Sequence, residues 1–198
     1  MSDTLSVATS MYADRVKHVS RGMDSYDLDL AGAALLYPLP GETLFSLCSR
    51  QHRIWGRPNA RETCVLLFGG ERLGTQHDIP SGPRQLECRT KGQWGGASTL
   101  ATRRTLMRFY APFVDRQLFD GANESMHGPS VAHLKFRLGP LTSRFRANHP
   151  LEACRVCTEQ DHHDHGWAYW HLHHQYPGVW LCPMHEVNRP GNRGGWLV

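Results

Sequence analysis

The chain has 198 residues, about 40% of them hydrophobic, and a formal net charge of +4. That suffices for one domain of ordinary size with a small accessory module. No stretch supplies the roughly 18 uninterrupted apolar residues of a membrane helix. Asp14, Asp24, Asp27 and Asp29 interrupt any signal-peptide layout. A cytoplasmic protein without membrane contact is therefore expected. The charge is unevenly spread. Residues 84–146 hold 11 Lys/Arg against 4 Asp/Glu, a net of +7, while residues 1–83 hold 8 against 9 and residues 147–198 hold 3 against 5. Such a basic band points to an acidic partner, nucleic acid first, with a solvated arginine-rich surface as the plain alternative.

Residues 1–36 lack a clean hydrophobic period. Only Met11 to Arg21 is a candidate helix, and a loosely docked tail is expected. From Gly41 the pattern sharpens. Leu47, Cys48, Ile54 and Trp55 follow Leu44 at offsets of three, four, ten and eleven, which puts all five on one helical face. Gly56 and Pro58 stop this helix. Asn59 then caps a second one, with Glu62 three residues on in a capping-box pattern. Its inner face is read as Ala60, Cys64, Leu67 and Phe68, and Gly69-Gly70 ends it. The pair resembles a helix-turn-helix unit, or a plain helical hairpin. Arg61 is the second helix's only cation, a poor composition for reading bases.

Residues 76–98 are rich in Gly and Pro and read as turns. A further helix is predicted over about Thr99 to Tyr110, ended by Pro112. Leu100, Met107 and Tyr110 would face inward, and Arg103, Arg104 and Arg108 would share one broad exposed face. Gly121 to Pro129 reads as a loop, and Val131 to Leu138 as a strand or short helix. Lys135, Arg137, Arg144 and Arg146 would extend the basic face toward the C-terminal module. Nothing here looks suited to base readout, so phosphate contacts are expected.

The strongest chemical signal is Cys154-Arg-Val-Cys157, then 24 residues, then Cys182-Pro-Met-His185. A two-residue spacer lets one tight turn aim two ligands at one ion. Two such turns complete a tetrahedron, the geometry of a closed structural zinc site. Two incidental ligand pairs, or a redox dithiol at Cys154 and Cys157, are the competing readings; the latter needs a thioredoxin-like βαβ context, which is missing. Cys48 and Cys64 fall in apolar-periodic segments and read as buried free thiols, while Cys88 stands alone. The intervening His162, His163, His165, His171, His173 and His174 invite a catalytic-metal reading. A complete Cys3His set leaves no open position, so most are expected at the surface.

These residues resemble a known family. Cys154-x2-Cys157-x3-Asp161, Gly166-x2-Tyr169-Trp170, His174-Gln175-x-Pro177-Gly178 and Cys182-Pro183-x-His185 look like the zinc-finger signature of the TniQ/TnsD target-site selectors of bacterial transposons. Pro38-Leu39-Pro40-Gly41-Glu42-Thr43-Leu44, with Ser46 and Ser49-Arg50, resembles the family's opening motif. Ala60-Arg61-Glu62-Thr63, Gln76-His77-Asp78-Ile79-Pro80 and Leu106 to Phe113 resemble later blocks. The likeness spans about residues 37–187.

It implies a mainly α fold: a tail at 1–36, a helical domain with helix-turn-helix character at 37–146, a zinc finger at 147–187 and a tail at 188–198. It implies no catalysis. It implies instead an adaptor that bridges target DNA, or a guide-RNA effector complex, to a AAA+ transposition ATPase, with a homodimer also open. The metal ligands would be Cys154, Cys157, Cys182 and His185, around one structural zinc ion. Tyr169, Trp170 and His174 are read as packing and hydrogen-bonding support for that centre. Two departures stand out. Many relatives continue into a second four-cysteine ribbon, whereas 13 residues follow His185 here. A truncated or minimal form is therefore expected, without sequence-specific DNA reading of its own. Gly82-Pro83 also interrupts a position where relatives run a helix. The rival functions are a metal-dependent nuclease using the His-rich loop, and a zinc-ribbon protein–protein module without DNA contact.

Overall fold

A computed structural model describes residue 30 and residues 34–71, 73–128, 130–138, 150–187 and 191–192; of Ala132, Lys135, Gly191 and Asn192 it describes the backbone alone. The candidate helix at Met11 to Arg21 lies outside these residues, as do Arg144 and Arg146. Helix α1 spans Leu44–Trp55. The Thr43 hydroxyl accepts the Ser46 N–H at its start, and Gly56 closes it in the left-handed region at φ 60°. Helix α2, Ala60–Phe68, starts where the capping pattern placed it. Asn59 Oδ1 accepts the Glu62 N–H, and Gly69 ends the helix at φ 77°.

The buried faces differ from the apolar stripes. In α1 the buried residues are Leu44, Ser46, Leu47, Arg50 and Gln51, while Ile54 is largely exposed and Cys48 half-buried. In α2 Thr63 and Leu66 join Leu67 and Phe68 inside, and Ala60 and Cys64 are half-buried. Helix α1 is flanked by more than its neighbour helix, so its polar residues go inward to meet partners: Ser46 the Trp170 N–H, Arg50 the Glu42 carboxylate, and Gln51 the backbone of Ala34 and Leu36.

Helix α3, Pro83–Thr90, occupies the stretch expected to be turns. Gly82 caps it at φ 86° and Pro83 is its first residue, where a missing N–H costs nothing. The Gly82-Pro83 pair therefore starts the helix it was expected to break. The predicted helix over Thr99 to Tyr110 is two helices, α4 at Ala97–Arg104 and α5 at Met107–Tyr110. Thr105 is extended between them. Its hydroxyl donates to the Ala101 carbonyl and accepts the Met107 N–H, while the Leu106 N–H turns away to the Asp78 carbonyl. After a 3-10 turn at Ala111–Phe113, helix α6 runs over Arg116–Met126, capped by Asp115 Oδ1 on the Leu118 N–H. Much of the loop expected from Gly121 is thus helix. Helix α7 is Ala132–Arg137.

Successive helices pack on one another from α1 to α5, α6 packs back on α4, and α7 packs on α6. Two apolar clusters result, with α4 between them. Leu100 joins Leu44, Leu47, Leu67, Phe68, Leu86 and Trp94. Ala101 joins Met107, Tyr110, Ala122, Met126 and Leu134. The N-terminal tail gives way before residue 36. Leu30 is buried, Leu35 and Leu36 pack on the first cluster, and Leu36 exchanges hydrogen bonds with Gln51 and Trp94.

The C-terminal module comprises β1 at Leu151–Glu152, helix α8 at Arg155–His165, a 3-10 turn at Leu172–Gln175 and β2 at Gly191–Asn192, antiparallel to β1. It is stitched to the opening motif. The Thr43 N–H donates to the Trp170 carbonyl at 2.9 Å, and the Leu172 N–H to the Gly41 carbonyl at 2.7 Å. The Trp170 N–H donates to Ser46 Oγ and the Tyr169 hydroxyl to the Pro40 carbonyl. Leu172 then enters the second apolar cluster. At the seam the Glu42 carboxylate is fully buried. It accepts Arg50 Nη1 at 3.0 and 2.9 Å and the Leu39 N–H at 2.9 Å. No helix among the described residues is long and apolar enough to cross a membrane.

Glu42→Gln leaves the Arg50 guanidinium buried without its counter-charge, and should cost about 3 kcal/mol in urea unfolding. The double variant Glu42→Gln with Arg50→Met should recover part of that loss, because both charges are then gone. A single variant as stable as the parent would remove the pair from the seam's energetics.

Candidate metal centre

Cys154 is the N-cap of α8, and Cys157 lies in the first turn of that helix. The helix fixes their separation, and Gly166 ends it at φ 72°. The chain returns through Tyr176-Pro177-Gly178-Val179, where the Val179 N–H meets the Tyr176 carbonyl and Gly178 takes φ 78°. A second tight turn follows. The Glu186 N–H donates to the Cys182 carbonyl at 2.8 Å and the Cys182 N–H to the Val187 carbonyl at 2.9 Å, with Glu186 itself left-handed at φ 54°. The two turns bring Cys154, Cys157, Cys182 and His185 together, each offering one ligand atom within 4.8 Å of the others.

The spacing suits an ion. His185 Nδ1 lies 3.7 Å from Cys154 Sγ, 3.3 Å from Cys157 Sγ and 3.6 Å from Cys182 Sγ, and the last two sulfurs are 3.6 Å apart. A tetrahedron with metal–sulfur bonds of about 2.3 Å has edges of about 3.6 to 3.8 Å. The three cysteines are buried and His185 is half-buried, so the group can hold a metal ion. The protonation energetics point the same way. Burial pushes the Cys157 thiol well up, and the neighbouring Cys182 and Cys154 add to it. Burial also works against the Cys182 thiolate, but the backbone of Met184 and the side chain and backbone of His185 bring it down to about 7. A cation at the centre removes the conflict, because it holds all three sulfurs as thiolates.

Around the four ligands the module is held by polar side chains. His174 is buried, and its Nε2 lies 3.4 Å from Cys182 Sγ and 3.7 Å from Cys157 Sγ; with His173 and Cys182 it makes a second group that could hold a metal ion, sharing Cys182 with the first. Asp161, one turn beyond Cys157 on the buried side of α8, pairs with His171 Nε2 at 2.8 Å. The His171 ring stacks on Tyr169 at 4.2 Å. Burial, with the charges of Asp161 and Glu42 nearby, pushes the Tyr169 phenol up to about 12. Gln175 behaves like a strand residue. Its amide accepts the Glu152 N–H and donates to the Glu152 carbonyl, completing the edge of β1. His162, His163 and His165 are exposed, as expected. His171 and His173 are not surface residues: the first is paired, and the second is half-buried with its ring 4.3 Å from that of His174. Sequence reasoning missed Asp161–His171 and Gln175 as structural pairs. The available signal was Asp161 four residues after Cys157, on the same helical face.

The basic residues do not form one face. Arg103 and Arg108 are exposed, as is Arg137 on α7. Arg104 turns inward and donates through Nη1 to the carbonyls of Glu42 at 3.1 Å and Leu39 at 3.4 Å. Burial lowers its affinity for the proton, against the pull of Glu42. The break at Thr105 removes the helical register that would have aligned it with Arg108. Lys135 lies on α7 at the level of the backbone.

Comparison with known proteins agrees with this organisation. The model of the TniQ family matches residues 35–188. The transposon Tn7 transposition protein TnsD of Escherichia coli is 23% identical over 153 residues, covering 75% of this chain and 30% of that protein. The chain thus spans less than a third of that relative's length.

The purified chain should bind about one metal ion, and Cys157→Ser should lose both the ion and the amide dispersion of residues 150–187. Replacing His162, His163 and His165 together by Ala should leave metal content unchanged, as read by atomic emission. Loss of the ion in the triple variant would move the centre into the histidine loop.

Proposed function

The chain belongs to the TniQ family, and on that premise we propose that it is a non-enzymatic target-selection adaptor for DNA transposition, carrying one structural zinc ion on Cys154, Cys157, Cys182 and His185. The observation that carries this reading is the extent of the family match, which takes in the opening motif, the helical part and the whole metal centre. The transposition role named for its Tn7 relative supports it. Zinc is the ion proposed because three thiolates and one imidazole in a closed, buried tetrahedron suit a soft ion held for structure. In this reading the protein partner is a AAA+ transposition ATPase, and the target is either DNA directly or a guide-RNA effector complex on it. The chain acts as a monomer or homodimer in the cytoplasm. The pairing of His171 with Asp161 and the exposure of His162, His163 and His165 support the adaptor over a metal-dependent nuclease that uses the His-rich loop.

DNA contact, in this proposal, runs through phosphates on the exposed Arg103, Arg108 and Arg137; Lys135, Arg144 and Arg146 are added from the sequence alone. Arg104 belongs to the fold instead. Its inward turn favours, as a second reading, a protein–protein module that makes no contact with DNA.

Charge reversal separates the two. Arg103→Glu with Arg108→Glu should keep metal content and stability while weakening binding to duplex DNA about tenfold or more at low salt, and should flatten the salt dependence seen by anisotropy. Arg104→Glu should destabilise the fold by about 2 kcal/mol, because it removes a half-buried donor from two carbonyls. Absence of salt-dependent DNA binding in the parent would favour the protein–protein module. For the role itself, insertions in a reconstituted transposition assay should lose their target preference when this chain is omitted. An unchanged insertion map would sink the adaptor reading.

A further inference from the structure

The outer surface of the metal module is apolar where a small structural unit has no need to be. Trp180 is 71% exposed, Met184 72% and Leu181 51%, with Val156 and Val187 at 40% and 39%. Their positions are not scattered. Val156 and Met184 are the residues just before the second ligand in the two tight turns, Cys154-x-x-Cys157 and Cys182-x-x-His185. Trp180 and Leu181 lead into Cys182, and Val187 follows His185 by two. Because the four ligand atoms lie within 4.8 Å of one another, the five residues are all near chain neighbours of a single small centre. The flanking cysteines are buried at that centre, while Val156 and Met184 between the ligand residues are exposed on its outer side. Clustered exposed apolar side chains of this size mark an interaction site.

The charge around them narrows the occupant. Between Pro150 and Val187 the chain has five Asp/Glu and one Lys/Arg, namely Arg155. Arg155 is already paired with Glu159 at 2.8 Å. Asp161 is buried against His171 and Glu159 is balanced by Arg155, while Asp164, beside His163, and Glu186 are exposed, so the module keeps an acidic excess. Three thiolates on a divalent ion would leave the centre negative as well. Phosphates of nucleic acid and anionic lipid headgroups are repelled by such a surface, while an apolar anchor with Lys or Arg beside it is attracted.

We propose that the outer face of the metal turns, centred on Trp180 and Met184, is a docking surface for a protein segment that presents apolar side chains flanked by Lys or Arg. The target-selection reading is not needed for this. It assigns the acidic module to a protein partner whatever the basic helical part binds. Aromatic and Met side chains are the residue types that dominate such contacts.

The test uses the full-length, metal-loaded chain and synthetic probes. An amphipathic peptide of Leu and Lys should bind, shifting backbone amides of residues 154–157 and 180–187 in heteronuclear NMR. Its Leu/Glu counterpart and duplex DNA should not shift these amides. Trp180→Ser with Met184→Ser should keep one metal ion per chain and weaken peptide binding about tenfold or more. Glu186→Lys, which leaves the apolar residues in place, should weaken it as well and provides the check should the double variant misfold. Equal binding of the Leu/Glu peptide, or undiminished binding by the double variant, would overturn the proposal. So would dimerisation of the parent that the double variant abolishes, since a second copy would then occupy the face. Removing residues 193–198 should leave the Trp180 and Met184 amides where they were. A shift there would place the chain's own tail on the surface instead.

Discussion

A carboxylate without exposure to solvent must have partners, and the arrangement around Glu42 follows from that requirement. Arg50 reaches it from the second turn of α1 with one nitrogen on both oxygens, and the Leu39 N–H takes a further lone pair. Arg104 comes from the end of α4 to the backbone carbonyls of Leu39 and of Glu42 itself. With the acid fixed, the Gly41 carbonyl and the Thr43 N–H face outward as an edge, and Trp170 and Leu172 pair with it. The metal module is thus held by backbone hydrogen bonds whose alignment depends on one buried ion pair. Such a pair contributes little net stability over an apolar core, but it tolerates few alternative geometries.

The same constraint explains why α1 buries Ser46, Arg50 and Gln51. A helix flanked on one side contributes an apolar stripe. One flanked on two sides must also place polar groups inside, each with a partner. Ser46 receives the Trp170 N–H, and Gln51 holds Ala34 and Leu36. The basic surface is affected in turn, since holding the seam takes Arg104 away from solvent.

What could be read in the sequence was local. The Asn59 cap with Glu62, the stops at Gly56 and Gly69, and the two candidate ligand pairs, each with its two-residue spacer, all follow from patterns within a turn of chain. The places where reading failed each depend on a distant partner. Thr99 to Tyr110 has a continuous apolar pattern, yet it breaks at Thr105 because the Asp78 carbonyl claims the Leu106 N–H. Gly121 sits within α6 because Asp115 starts that helix and Ala122 and Met126 have a core to enter. Gly82-Pro83 was ambiguous in a different way, since the same two residues can end one helix or begin the next. Asp161 and Gln175 looked like ordinary polar residues of a finger. Their roles rest on His171 and Glu152, ten and 23 residues away.

The seam also imposes an order in time. The Tyr169 hydroxyl and the Pro40 carbonyl that it meets are separated by 129 positions in the chain. At typical rates of synthesis the opening motif therefore waits on the order of ten seconds before its partner is made. Cys182 and His185 emerge later still. During that interval the helices can collect their first cluster around Leu47 and Phe68, but Glu42 and Arg50 remain hydrated and the second cluster lacks Leu172. The opening motif of this fold is thus completed by a segment made more than a hundred residues after it, and the helical body and the finger close together.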